Sequence, residues 1–120
     1  MAGTVIEMSM MAAVSYRTDP DGVVDATITG ELDLAEADSI RDSLVSAARG
    51  MSGPYLRVDL SQVSFMDSYA LGALVSARNT AASVGVTLTL VDPSPPVRKA
   101  IEVTGLSDVF GLADQGSSED

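Results

Sequence analysis

The chain contains no cysteine and no histidine. Without cysteine there is no disulfide, no thiolate nucleophile and no cysteine metal site. Without histidine the commonest general base and the commonest zinc ligand are missing, and both familiar nucleophilic triads go with them. These absences weigh against a hydrolase or a zinc enzyme. Basic residues are scarce as well: 7 Lys and Arg against 17 Asp and Glu give a formal net charge of -10. That balance would repel a phosphate backbone, and Arg17, Arg41, Arg49, Arg57, Arg78, Arg98 and Lys99 are scattered, which argues against direct nucleic-acid binding. An acidic surface can steer association with a basic partner face, or serve solubility alone. No apolar run approaches the roughly 18 to 20 residues of a membrane span, and the start lacks the basic and apolar blocks of a secretory signal. A cytoplasmic location is the expectation.

What is present points to one folded domain. A length of 120 residues suits a single core, and 46% hydrophobic with 20% charged residues is globular composition. Residues 1–12, with Met8, Met10 and Met11, show no period and are read as a flexible arm. Residues 14–17 and 23–29 are β-prone runs separated by Thr18, Asp19, Pro20, Asp21 and Gly22, the composition of a hairpin turn. Ala37, Ile40, Leu44 and Ala47 or Ala48 then fall on one helical face, with Asp33 and Glu36 resembling a capping box and Gly50 a stop.

Residues 55–60 read as a strand after Gly53 and Pro54. A second helix fits residues 68–84, capped by Asp67, turning Leu71, Leu74, Val75 and Ala82 inward and ending at Gly85. Residues 86–91 form a buried-strand candidate. Ser94, as a capping hydroxyl, and Pro95 and Pro96 open a third helix that buries Val97, Ala100 and Ile101 and stops at Gly105. Residues 106–113 offer one short strand or turn, and residues 114–120 an acidic, disordered tail. The expected class is therefore α/β: one domain over residues 13–113, a mixed, mainly parallel sheet of four to five strands with an N-terminal antiparallel hairpin, and three or more helices.

Sites in such sheets gather beyond the carboxyl ends of the parallel strands, which places interest in residues 30–33, 60–68 and 92–94. The second stretch ends with Asp67 and Ser68 at a helix start. Capping of the first-turn amides is the ordinary role for that pair. The other role is regulatory: a phosphate on Ser68 would add nearly two negative charges, favoured by the helix dipole and disruptive to a complementary interface. Phe65 and Met66 are expected to cover the sheet edge, and Tyr69 to be exposed.

The run over residues 59–74 resembles the signature of STAS anti-sigma factor antagonists, in which Asp-Leu-Ser leads through Val-x-Phe-Met to Asp-Ser-Ser/Thr-Gly-Leu-Gly. Asp59, Leu60, Ser61, Val63, Phe65, Met66, Asp67, Ser68, Leu71, Gly72 and Leu74 fit it. Gly30, Glu31, Leu32 and Asp33 are similar to a second landmark of that family, and Thr104, Gly105 and Leu106 before Val109 and Phe110 to a third. The resemblance spans residues 14–112.

It implies a STAS-like domain without enzymatic activity or cofactor that binds an anti-sigma factor of the serine kinase type and so releases a sigma factor. The kinase phosphorylates the antagonist before the second helix, and a phosphatase restores it. The implied partner surface comprises Glu31, Asp33, Met66, Asp67, Ser68, Tyr69 and Gly72. One departure stands out. The family acceptor position is held by Tyr69, followed by Ala70 where glycine is usual, which leaves Ser68 as the phosphoacceptor candidate and implies lost or altered phosphorylation control.

Three other readings are open. A receiver-type phosphoaspartate domain would want a late-strand lysine, whereas the sole lysine, Lys99, falls in the third helix, and Asp59 lacks an acidic pair. A STAS-type accessory subunit could bind a transporter ATPase or a stress-signalling scaffold. A magnesium hydrolase using Asp33, Asp59, Asp67 and Asp92 lacks a dedicated nucleophile.

Overall fold

A computed structural model describes residues 12–110. The expected tail, and the expected arm apart from Ala12, lie outside the described residues. β1 (Ala13–Thr18) and β2 (Val24–Leu32) form the expected hairpin, antiparallel, with Val14 opposite Ile28 and Thr18 opposite Val24. Gly22 takes the left-handed φ of 91° that closes the turn and donates its amide to the Asp19 carbonyl at 2.9 Å. The turn rests on the segment before β3: a Cβ on Gly53 would lie 2.4 Å from the Gly22 carbonyl oxygen.

The chain continues through α1 (Leu34–Gly50), β3 (Tyr55–Met66), α2 (Ser68–Ser83), β4 (Thr87–Val91) and α3 (Pro95–Val103). Strand order is β1-β2-β3-β4, with β2, β3 and β4 parallel. The fold is thus a single α/β domain with a four-stranded mixed sheet and three helices among the described residues. Both helical crossovers step one strand in the same direction, so a common right hand puts α1 and α2 on one face of the sheet, where they pack on each other. Residues 106–110 are a turn that ends on the fully buried Phe110, and the rest of that stretch lies outside the described residues.

The core lies between that sheet face and the helices. Ala26, Ile28, Leu56, Val58, Leu60, Leu88 and Leu90 point into it at alternate positions, against Ala37, Ile40, Leu44 and Ala48 of α1 and Val97 and Ile101 of α3. α2 differs from the expected face: Ala81 is buried, Ala82 is exposed and Val75 is only half-buried. Alanines stand at 70, 73, 77, 81 and 82, so composition gives little contrast between the faces, and the buried set is Ala70, Leu71, Ala73, Leu74, Ala77 and Ala81. Such small side chains let α1 approach closely. Gly50 also differs from expectation: it remains helical, and Met51 follows in extended conformation. Gly85 (φ 83°) and Gly105 (φ 74°) sit just past α2 and α3 in the left-handed region.

The largest departure is at the stretches expected to be loops over residues 30–33 and 60–68. β2 runs on to Leu32 and β3 to Met66, and the two stay paired to the end, with Glu31 opposite Phe65 and Leu32 opposite Met66. Two irregularities interrupt the ladder. Asp25 pairs Arg57, Thr29 pairs Gln62 and Glu31 pairs Phe65, so the offset grows from 32 to 33 to 34 and each step adds one residue to β3. Each added residue shifts the inward-facing set. Burial in β3 therefore falls at Leu56, Val58 and Leu60 at a spacing of two, then at Val63 and Met66 at a spacing of three. The alternation that defines a strand in sequence stops at Leu60; the strand does not.

The opposite sheet face is polar. Arg57 Nε donates to Asp25 Oδ1 at 2.7 Å across the β2–β3 pair, and Arg57 Nη2 lies 3.8 Å from Asp19 Oδ2. The pairing holds the Asp25 carboxyl below its ordinary pKa, chiefly through the hydrogen bond from Arg57.

The joined starts of α1 and α2 as a candidate functional site

Because β2 and β3 end side by side, the helices that follow them also begin side by side. Each has an aspartate at its cap. Asp33 Oδ1 accepts the amides of Ala35 at 3.1 Å and Glu36 at 3.3 Å. The Glu36 carboxylate adds negative charge to the first turn of α1, where the helix dipole favours it. Asp67 does more than cap its own helix. Its Oδ1 accepts the Ala70 amide at 2.8 Å, while its Oδ2 reaches across to the Leu34 amide of α1 at 2.9 Å. The Asp67 amide in turn donates to the Leu32 carbonyl at 3.2 Å. One carboxylate thus satisfies orphan amides on both helices.

Around this clasp the surface is exposed and chemically mixed. Ser68, the first residue of α2, is exposed. Tyr69 is 46% exposed, and its hydroxyl donates to Asp38 Oδ1 on α1 at 2.8 Å. Asp38 also receives Arg41 Nη1 at 3.3 Å, and Arg41 Nη2 lies 3.0 Å from Asp42 Oδ1. Hydrogen bonding to Asp38, with its negative charge, raises the Tyr69 phenol above its ordinary pKa. The same carboxylates hold Arg41 firmly protonated, Asp42 contributing most.

Of the residues singled out in the sequence, Asp33, Asp67, Ser68 and Tyr69 come together at the helix starts, with Gly72 one turn along α2. Glu31 is exposed near the end of β2, opposite Phe65. Met66 is only 6% exposed and belongs to the core, so it supports the helix start from beneath. Phe65 does not cover a sheet edge: the second bulge turns it outward, leaving it 47% exposed. Residues 92–94 stand apart from the helix starts. The Ser94 hydroxyl donates to the Val63 carbonyl at 2.5 Å and makes no cap bond to α3, contrary to the capping expectation.

Three contributors were missed: Leu34, 63% exposed in the first turn of α1, and the pair Asp38 and Arg41. Their i, i+3 spacing on α1 was a legible signal for the pair. The four aspartates weighed as magnesium ligands are dispersed in role. Asp33 and Asp67 cap helices, Asp59 Oδ1 accepts the Ser61 amide at 2.8 Å, and no metal-binding group of acidic residues occurs among the described residues.

The sequence over residues 17–117 matches one family model, the STAS domain. The chain belongs to the STAS domain family. Among its STAS relatives, the anti-sigma-B factor antagonist of Listeria monocytogenes is 34% identical over 89 residues, covering 74% of this chain and 77% of the relative. The structure of the anti-sigma factor antagonist SpoIIAA in its unphosphorylated form matches with a TM-score of 0.67 and 26% identity, covering 80% of this chain and 84% of that one. The Bacillus cell fate determinant SpoIIAA in the phosphorylated form matches with a TM-score of 0.61 and 25% identity, over 80% and 86% of the two chains. A STAS relative is thus known both with and without phosphate.

Proposed function

We propose that this STAS domain is an anti-sigma factor antagonist: it binds an anti-sigma factor of the serine kinase type, displaces the sigma factor held there, and so permits transcription. The observation that carries this reading is the relationship to a named anti-sigma-B factor antagonist over three quarters of the chain. The site's character supports it. Leu34, Phe65 and Tyr69 are exposed hydrophobic side chains near paired helix starts, with acidic Glu31 and Asp38 among them, a composition suited to protein contact. The partner surface comprises Glu31, Asp33, Asp67, Ser68, Tyr69 and Gly72, with Met66 beneath it. The domain acts as ligand and substrate, without a catalytic group of its own. It works in the cytoplasm, and among the described residues no helix is long and apolar enough to cross a membrane.

Phosphorylation control is altered in this chain. Tyr69 carries its hydroxyl on a long ring, and that hydroxyl is engaged by Asp38. A kinase site shaped for serine or threonine would reach Ser68 instead, where a phosphate would stand beside the Asp67 carboxylate and repel it. Phosphate goes to Ser68, slowly, and a phosphatase removes it. The relatives' names favour this role over an accessory subunit of a transporter ATPase or a scaffold component. Incubation with the cognate kinase, ATP and magnesium, followed by mass spectrometry, tests the assignment. Slow addition confined to Ser68 supports it, and stoichiometric phosphate on Tyr69 overturns it.

A further inference from the structure

Gly72 lies inside α2, where glycine costs about 1 kcal/mol relative to alanine. The fold gives no reason for it: a Cβ built at Gly72 meets no atom within 4 Å, and its φ needs no special freedom. A glycine that the packing does not require, on an exposed helical surface, marks a place where something outside the chain comes close. Tyr69, Gly72, Ala73 and Ser76 share one side of α2 at helical spacing and line a groove of about 310 Å³ whose other wall is Asp38 and Arg41 of α1. The floor is small side chains, and the Tyr69 ring stands at the α2 start with its orientation fixed by Asp38.

Charge decides the kind of occupant. Arg41 is paired with Asp38 at 3.3 Å in the groove wall and with Asp42 at 3.0 Å just outside it, which leaves this stretch of α1 one carboxylate in excess in a chain whose net charge is -10. The Tyr69 ring offers its π face as a further site for a cation. We propose that this groove is a specificity pocket for one long basic side chain of the anti-sigma partner. The aliphatic stem lies over Gly72 and Ser76, and the charged head is taken up by Asp38 and the Tyr69 ring. The Tyr69 to Asp38 hydrogen bond sets the ring before the partner arrives, so that less ordering is required on binding.

The inference rests on the antagonist reading, and one experiment separates the two. Binding of the purified anti-sigma factor kinase of the same organism is measured by calorimetry at low and high salt for wild type, Gly72→Ala, Gly72→Leu, Tyr69→Ala and Asp38→Asn, with thermal unfolding of each. Gly72→Ala is expected to melt higher than wild type yet bind several-fold more weakly, opposite signs that a purely structural glycine cannot give. Gly72→Leu, which fills the groove, and Tyr69→Ala are each expected to lose at least about tenfold in affinity, as interface anchors do. Asp38→Asn should bind more weakly and with a shallower salt dependence. If wild type binds while Gly72→Leu and Tyr69→Ala stay within about twofold of it, the pocket is overturned and the antagonist reading stands. If wild type itself does not bind, the antagonist reading falls and the pocket with it.

Discussion

Asp67 and Leu34 lie 33 residues apart in sequence, yet the Asp67 carboxylate accepts the Leu34 amide at 2.9 Å and ties the start of α2 to the start of α1. The same carboxylate caps α2 through the Ala70 amide. Replacing Asp67 by alanine removes a cap worth about 1 kcal/mol and a second bond of similar size, so a loss of about 2 kcal/mol is expected. Urea unfolding reads it directly, and amide exchange at Leu34 and Ala70 should quicken together. Faster exchange at Ala70 alone would show that the bridge to α1 contributes nothing.

The Tyr69 phenol is held above its ordinary pKa of about 10 by its bond to Asp38. A raised folded-state value means the bond stabilises the fold fully below the unfolded tyrosine pKa and is lost as pH climbs through the folded one. Ultraviolet titration should therefore show the Tyr69 phenol ionising late, and Asp38→Asn should bring it back toward the ordinary value. Tyr16 complicates the trace, since burial raises its phenol too, against the hydrogen bond with Ser43. A Tyr16→Phe background isolates Tyr69.

Asp25 behaves in the opposite sense. Its folded-state pKa is depressed by Arg57, so its contribution is present above the ordinary carboxylate range and disappears as pH falls through the folded value. Asp25→Asn should cost about 0.5–1 kcal/mol near neutral pH, a modest sum because Arg57 is half exposed, and nothing measurable once wild-type Asp25 is protonated. A stability difference that persists unchanged into strong acid would assign the effect to packing.

Ser94 offers a sharp distinction between capping and donation. A capping serine can be replaced by aspartate, an equal or better cap. Here the Ser94 hydroxyl donates to the Val63 carbonyl, beyond the first bulge of β3, and aspartate has no proton to give. Ser94→Thr should retain stability, whereas Ser94→Ala should lose about 1 kcal/mol and Ser94→Asp at least as much. Stability restored in Ser94→Asp would reinstate the cap.

Much of this architecture was legible because local chemistry and tertiary structure agree. The hairpin followed from Pro20 and Gly22 between β-prone runs, and the α1 face from Ala37, Ile40 and Leu44, all of which are buried or placed as their spacing implied. The extent of β3 was illegible for a definite reason: two inserted residues change its inward spacing from two to three, and periodicity cannot see a bulge. That same feature turns Phe65 outward and so concealed part of the surface. Asp33 and Asp67 were readable as caps from their place before each helix. That Asp67 also reaches Leu34, and Tyr69 reaches Asp38, depends on two strands ending together, which no local window of sequence contains.

On the proposed function, this STAS domain frees a sigma factor by capturing the protein that holds it. The direct measurement is to titrate the purified domain into a preformed complex of the cognate anti-sigma factor and sigma factor, and to follow sigma-dependent transcription in a purified system. Transcription is expected to rise as the domain approaches equimolar amounts, and Ser68→Asp to raise it far less. No release of sigma factor at a large excess of the wild-type domain would contradict it.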